Sequence, residues 1–284
     1  MEIDKNFNST TDKKIEDNRQ KVALSIAGSD SSAGAGIQAD MKSAAALGCY
    51  MATAITAITA QNSMGVTAIE PTPSTILTTQ IEAVMSDMRV EAIKTGMIPN
   101  IESVKAVLEC IDKYTIENIV VDPVIVSTSG ATLIDKTAID CIIEKLFPLA
   151  TIVTPNSVEC GYITGVKICS SVDFDRAASK FELLGSKYLL LKGGHIDGKK
   201  IVDVLYDLKR GNSYNFEFER VDTMNTHGTG CSLSSSIAAS MAMGYNIVES
   251  VERAENFVHK AIFRGKDMVL GKGHGSIAHF EYLR

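Results

Sequence analysis

The feature that most restricts this chain is an alternation, from Lys21 onward, of short apolar β-branched runs with longer segments of helical periodicity. A strand buried on both faces loses the polar–apolar alternation of a half-exposed one. Such runs therefore belong in a parallel sheet covered by helices on both sides. The pattern predicts strands at 22–27, 50–59, 92–95, 119–121, 152–154 and 188–192. It predicts helices at 36–47, 74–88, 101–113, 136–146 and 172–184. Segments 201–207 and 214–220 read as a hairpin around Lys209-Arg210-Gly211-Asn212, and two further helices follow at 231–243 and 247–263. No internal repeat or linker-like stretch divides this series. Residues 21–284 are thus expected to form one three-layer α/β domain around a mostly parallel sheet.

Residues 1–20 mix both charges with Asn, Ser and Thr and contain no apolar core of a signal peptide, so they read as a disordered polar tail. No apolar run approaches the roughly 18 residues of a membrane span. A net charge of −6 argues against nucleic acid as a partner. The six cysteines show neither a CxxC pair nor zinc spacing with histidine, which suits reduced thiols and a cytoplasmic location.

In parallel α/β sheets ligands bind beyond the carboxyl ends of the strands. There the chain places Gly28–Gly36, Gln61-Asn62, Thr95-Gly96-Met97, Asp122-Pro123, Thr154-Pro155-Asn156, Lys192-Gly193-Gly194 and, last, Asn225-Thr226-His227-Gly228-Thr229-Gly230-Cys231. These residues pack poorly but suit chemistry. The last segment reads as a Gly-Thr-Gly turn opening a helix near Cys231. The first N–H groups of a helix lack internal partners and carry the positive end of its dipole, which makes an anion site. The same field favours the thiolate of a cysteine placed there.

Gly34-Ala35-Gly36-Ile37-Gln38-Ala39 fits the dinucleotide fingerprint GxGxx[GA], but two features oppose that reading. The loop from the strand to the first glycine is long, and Gln61-Asn62 stands where an acidic ribose-binding residue is required. No GxxxxGK[ST] is present, which excludes a P-loop NTPase.

Taken in order, Ala27-Gly28-Ser29-Asp30, Ala33–Asp40, Thr59-Ala60-Gln61-Asn62, Lys94-Thr95-Gly96-Met97, Val121-Asp122-Pro123-Val124, Thr154-Pro155-Asn156 with Glu159, Leu191-Lys192-Gly193-Gly194-His195 and Asn225–Cys231 form one set of motifs. This set resembles the hydroxymethylpyrimidine/phosphomethylpyrimidine kinases of thiamine synthesis, within the ribokinase-like fold. The likeness runs from about Val22 to Phe280.

The resemblance implies ATP- and Mg²⁺-dependent phosphorylation of 4-amino-5-hydroxymethyl-2-methylpyrimidine and then of its monophosphate. It implies that Gly228, Thr229, Gly230 and Cys231 hold the transferred phosphoryl group, with Cys231 as base where ribokinase relatives carry Asp. It places Gln61, Asp40, Gly28, Ala35, Met97 and Val124 around the pyrimidine. Lys192, Thr226 and Asp122 fall near the triphosphate, and Asn156 with Glu159 near the metal. Simpler readings stand beside these: Met97 and Val124 as core, Asp40 as a solvated helix carboxylate, Asn156 as a helix N-cap and Cys231 as a small buried residue. His227 is left without a role. The likeness also implies a homodimer, and it leaves a pyridoxal kinase or a non-catalytic pyrimidine sensor as alternatives. Two departures are visible. Thr128 replaces a common lysine, and Ala33 replaces a common glycine, the latter tolerable if its φ is negative.

Overall fold

The computed structural model describes residues 19–125, 134–170, 172–194, 196 and 198–280. Thr128, His195 and residues 1–18 of the polar tail lie outside the described residues. Gln20, assigned to the tail from sequence, donates from Nε2 to the Gly48 carbonyl at 2.9 Å, so the domain reaches at least to that residue.

The strands are β1 (Val22–Asp30), β2 (Tyr50–Asn62), β3 (Gly65–Pro71), β4 (Val90–Thr95), β5 (Ile119–Val121), β6 (Ile152–Val153), β7 (Tyr188–Leu191), β8 (Lys200–Asp207) and β9 (Asn212–Glu219). They form one sheet in the order β3-β2-β1-β4-β5-β6-β7-β8-β9. Strands β2 through β7 in that order are mutually parallel, while β3 and β8 run antiparallel to their neighbours. The helices are α1 (Gly36–Ala46), α2 (Ser74–Asp87), α3 (Ile101–Tyr114), α4 (Lys136–Cys141), α5 (Ser157–Thr164), α6 (Val172–Glu182), α7 (Thr229–Ala242) and α8 (Ile247–Gly265).

Alternate strand residues feed two separate cores. Leu24, Ile26, Ile93, Ile119, Val121, Val153, Leu189 and Leu191 face α2, α3, α4 and α6. Ala23, Ala92, Val120, Ile152 and Leu190 face α1, α7 and α8. This is why the central strands read as uninterrupted apolar runs: both faces are buried. Helix α7 is Ser- and Ala-rich yet buried from Ser232 to Ala242. Its small side chains permit close approach to the sheet, and several hydroxyls spend their hydrogens on its own carbonyls, as Ser232 does on Gly228 at 2.7 Å.

Four elements differ from the pattern read in the sequence. Strand β1 runs on through Gly28 to Asp30, pairing Ser29 and Asp30 with Ile58 and Thr59 after a register shift. Strand β2 continues to Asn62 and turns directly into β3, an exposed edge strand with no strand predicted there. The helix predicted at 136–146 is α4 followed by a π-helical turn, Ile142–Leu146, and a 3₁₀ turn containing Pro148. Helix α5, eight residues long, was hidden by its brevity and by Gly161.

Candidate active site

The start of α7 leaves backbone N–H groups without helical partners. Gly228 caps it in the left-handed region at φ 83°. Thr229 donates its N–H to the Thr226 carbonyl at 3.3 Å and is only weakly available. Among the described residues the Gly230 and Cys231 N–H groups have no carbonyl partner, as expected for a first helical turn. A Cβ on Gly230 would stand 3.4 Å from Lys192 Nζ and 3.8 Å from Asp122 Oδ2, so the turn, the lysine and the carboxylate face one space.

Strand ends deliver the opposing charges. Asp122 follows β5 and is buried; it accepts from Ser234 Oγ at 3.1 Å and from Thr154 Oγ1 at 3.4 Å. Lys192 follows β7, with Nζ 3.5 Å from Asp122 Oδ1. Burial acts to discharge Lys192, but Asp122, Glu159 and Asp203 outweigh it and hold the ammonium above its ordinary range. A fixed cation therefore faces the helix start. Thr226, expected near phosphate, is exposed, and its carbonyl receives the Thr229 N–H.

Asn156 and Glu159 form a capping box at the start of α5. Asn156 Oδ1 accepts from the Val158 and Glu159 N–H groups at 2.9 Å, and Glu159 Oε2 accepts from Asn156 N–H at 2.8 Å. The N-cap reading of Asn156 is thus realised, and the residue orients Glu159. Burial first, and then Asp122, push Glu159 up to about 7, against the pull of Lys192. No group of three His, Cys, Asp or Glu side chains is arranged to hold a metal among the described residues.

Cys231 is half-buried, with its thiol beside the start of α1, where the Gly36 N–H reaches it. Burial pushes the thiol up to about 11 with help from Asp40 and Asp122, while Lys94 and the Gly36 N–H pull down without prevailing. This corrects the thiolate expected from the helix field alone. Desolvation and two carboxylates act together to keep the thiol protonated.

Gly28 of β1 and Met97 interlock: a Cβ on Gly28 would lie 2.6 Å from Met97 Cε. Met97 is buried in the core, and Val124 is partly buried against it. Ala35 is the N-cap of α1 and donates its N–H to Asp30 Oδ2 at 2.8 Å. Gln61 lies within β2, its backbone clipped to Ser31 Oγ at 2.7 and 2.8 Å. Asp40 is the clearest correction. Its side chain is 0% exposed and binds Lys94 Nζ at 2.8 and 3.0 Å and Ser25 Oγ at 2.6 Å. It is not a solvated carboxylate, and no part of its side chain reaches the surface.

Lys94 was quoted in a motif but given no role. A lysine inside an apolar four-residue strand was the available signal. Its ammonium is fully buried, and Asp40 holds it charged against burial. Ala33 also departs from expectation: its φ is 60°, so the condition for tolerating alanine there is not met. Because β1 extends to Asp30, the loop before Gly34 is short. The dinucleotide reading therefore falls on the missing acidic residue rather than on loop length.

A mostly parallel sheet between helical layers, with a cationic helix start at its carboxyl edge, is the architecture of a ribokinase-like small-molecule kinase. The chain matches the family described as phosphomethylpyrimidine kinase over residues 30–278, and it belongs to that family. It is 42% identical over 261 residues to hydroxymethylpyrimidine/phosphomethylpyrimidine kinase of Rhizobium meliloti (strain 1021), covering 91% of this chain and 97% of that one. The crystal structure of phosphomethylpyrimidine kinase from Clostridium difficile 630 superposes with a TM-score of 0.76 at 41% identity, covering 86% and 100% of the two chains. Pyridoxal kinase from Staphylococcus aureus in complex with AMP-PCP and pyridoxal superposes with a TM-score of 0.84 at 32% identity, covering 94% and 96%.

Proposed function

We propose that this protein moves the γ-phosphoryl group of ATP to the hydroxymethyl oxygen of 4-amino-5-hydroxymethyl-2-methylpyrimidine, and then phosphorylates the resulting monophosphate, for thiamine diphosphate synthesis. The carrying observation is the α7 start, where the Gly230 and Cys231 N–H groups have no carbonyl partner among the described residues and a Cβ on Gly230 would lie 3.4 Å from Lys192 Nζ. Phosphoryl transfer asks for positioning and for stabilisation of spread negative charge. Donors fixed in advance at the place where charge develops supply that stabilisation. Gly228 and Gly230 shape the turn, Lys192 offsets triphosphate charge and Asp122 holds Lys192.

Asp122 and Glu159 offer only oxygen atoms in a buried, electron-rich corner, and this suits Mg²⁺, which binds through few carboxylates and several waters. These two residues would hold a magnesium ion, which neutralises triphosphate charge when bound. Asn156 contributes by orienting Glu159. In its thiolate form Cys231 takes the proton that the hydroxymethyl oxygen loses as this oxygen bonds to the γ-phosphorus and the bond to ADP breaks. Gln61 reads the ring, and Gly28, Ala35, Met97 and Val124 form its walls.

No helix among the described residues is long and apolar enough to cross a membrane. We place the reaction in the cytoplasm, in a homodimer whose subunits shield each other's open cleft. A coupled assay of ATP consumption with hydroxymethylpyrimidine, its monophosphate and pyridoxal tests the substrate. The two pyrimidines should give the higher kcat/KM. Faster turnover of pyridoxal would replace this reading with pyridoxal phosphorylation, the alternative favoured by the likeness to the Staphylococcus aureus structure. Absence of all three turnovers would favour a pyrimidine sensor.

A further inference from the structure

The Gln61 side-chain amide is gripped from two sides. In one of the amide's two orientations, its Nε2 lies 3.2 Å from His227 Nε2 and its Oε1 lies 3.1 Å from Thr59 Oγ1. Both neighbours have other obligations. His227 Nε2 is 2.9 Å from Asp30 Oδ2, and Thr59 Oγ1 donates to the Ser29 carbonyl at 3.0 Å.

The hydrogens must be counted. Burial alone would raise Asp30, but hydrogen bonds from His227, Ser32 and Ala35 outweigh it and hold the carboxyl at about 2. An ionised carboxylate only accepts, so His227 Nε2 carries a hydrogen and donates it to Asp30. That nitrogen then has no lone pair left for an N–H of Gln61. Thr59 has one hydroxyl hydrogen, already spent on Ser29, and has none for the Gln61 oxygen. Exchanging the two ends of the amide, which have the same shape, removes both conflicts. The oxygen then shares the Nε2 hydrogen with Asp30 in a three-centre bond, and the amino group donates to a lone pair of Thr59 Oγ1.

We propose that His227 and Thr59 fix the Gln61 amide with its carbonyl toward His227 and its amino group toward Thr59, so that His227 is a specificity-determining positioning residue. The imidazole is itself well held. The His227 backbone N–H donates to the Gly275 carbonyl at 3.0 Å, and the absence of a side chain at Gly34 makes room for the ring, since a Cβ there would lie 2.2 Å from His227 Cδ2. Asp30 ties the ring to the loop before α1 by also accepting from Ser32 and Ala35.

After these bonds Gln61 keeps one free oxygen lone pair and one free N–H, in a fixed order. A 4-aminopyrimidine edge presents a ring-nitrogen acceptor beside an amino donor. A 4-oxo ring has the same shape and the reverse order. Binding it in the same pose requires Gln61 to turn over and lose both anchoring bonds. This specificity argument rests on the reading of Gln61 as the ring-binding group.

Two measurements test the proposal. The first needs no substrate: the ¹⁵N spectrum of histidine-labelled protein, with His227 assigned through His227→Gln. Its Nε2 should be of the protonated, pyrrole type at pH 6–8; an unprotonated Nε2 overturns the proposal. The second compares kcat/KM for the 4-amino alcohol with that for its 4-oxo analogue. His227→Leu frees Gln61 to turn, and the preference for the 4-amino ring should fall by about ten-fold or more. His227→Gln, whose amide can donate to both Asp30 and the Gln61 oxygen, should keep it within about three-fold. Equal loss on both substrates in His227→Leu, with the preference unchanged, overturns the proposal. If the wild type turns over neither alcohol, the substrate reading fails, and the nitrogen signal alone decides the order of the amide.

Discussion

Gly228 and Gly34 meet backbone to backbone: a Cβ on Gly228 would stand 1.9 Å from the Gly34 carbonyl oxygen. Two requirements coincide at Gly228, since its φ of 83° is also costly for any other residue. Gly228→Ala should therefore move the α7 start, lower the melting temperature and reduce kcat by about 10²-fold or more. Gly230→Ala is the informative partner. Its Cβ would meet nothing nearer than Lys192 Nζ at 3.4 Å, so the fold should tolerate it while kcat falls through loss of phosphate space. Steady-state kinetics with thermal melts separate the two effects. Wild-type kcat in Gly228→Ala would remove the anion hole from the mechanism.

For Cys231 the prediction is one of pH. With the thiol at about 11, the thiolate fraction at neutral pH is small and grows about ten-fold per unit as pH rises toward that value. If this thiolate accepts the alcohol proton, kcat of the wild type climbs between pH 6 and 9. Cys231→Ala should then be slower by ~10²-fold and flat across the range. A variant within three-fold of wild type with the same pH profile would dismiss the base and leave the helix start as the main catalytic device.

The Lys94–Asp40 pair should reveal itself in stability. Lys94→Met strands a fully buried carboxylate and should cost about 3–5 kcal/mol in chemical denaturation. Adding Asp40→Leu to that variant should recover most of the loss, because neither charge is then left unpaired. A single variant costing under about 1 kcal/mol would mean that water reaches the pair.

Ala33→Gly should stabilise the protein. Alanine at φ 60° carries about 1–2 kcal/mol of strain, of which glycine returns part through the freedom of its unfolded chain. A net gain of about 0.5–1 kcal/mol, seen as a melting temperature a few degrees higher, is expected. A lower melting temperature would show that the Ala33 methyl group contributes packing worth more than its strain.

The central strands and the three helices of one core were legible because burial on both faces writes an apolar run that no exposed strand shares. The edge strand β3 was not, since Gly65-Val66-Thr67-Ala68-Ile69-Glu70-Pro71 is half exposed and carries glycine and proline at its ends. Asp122, Lys192 and the Gly228–Cys231 turn were legible as polar residues at strand ends. Asp40 was misread because its partner, Lys94, lies 54 residues away, and a helix carboxylate looks alike whether solvated or paired inside. The thiol of Cys231 was misjudged for a similar reason. Its field is set by groups on α1, β4 and the end of β5, none of them near it in sequence. His227 could be given work only once Asp30, 197 residues earlier, stood beside it.

That separation has a consequence for how the enzyme comes into being. Helix α7 follows an edge strand in the chain but packs against β1, β4 and β5 in the middle of the sheet. Closing so long a loop is entropically expensive, and contacts of this kind form late in folding. A chain still leaving the ribosome at residue 220 would carry Gln61, Asp122 and Lys192 but not the α7 start that Lys192 lies against. On the proposed mechanism, activity awaits docking of the final quarter of the polypeptide. Any ligand that bridges the α1 loop and the α7 start binds the docked state alone, and at a hundred times its Kd would favour docking by about 2.7 kcal/mol.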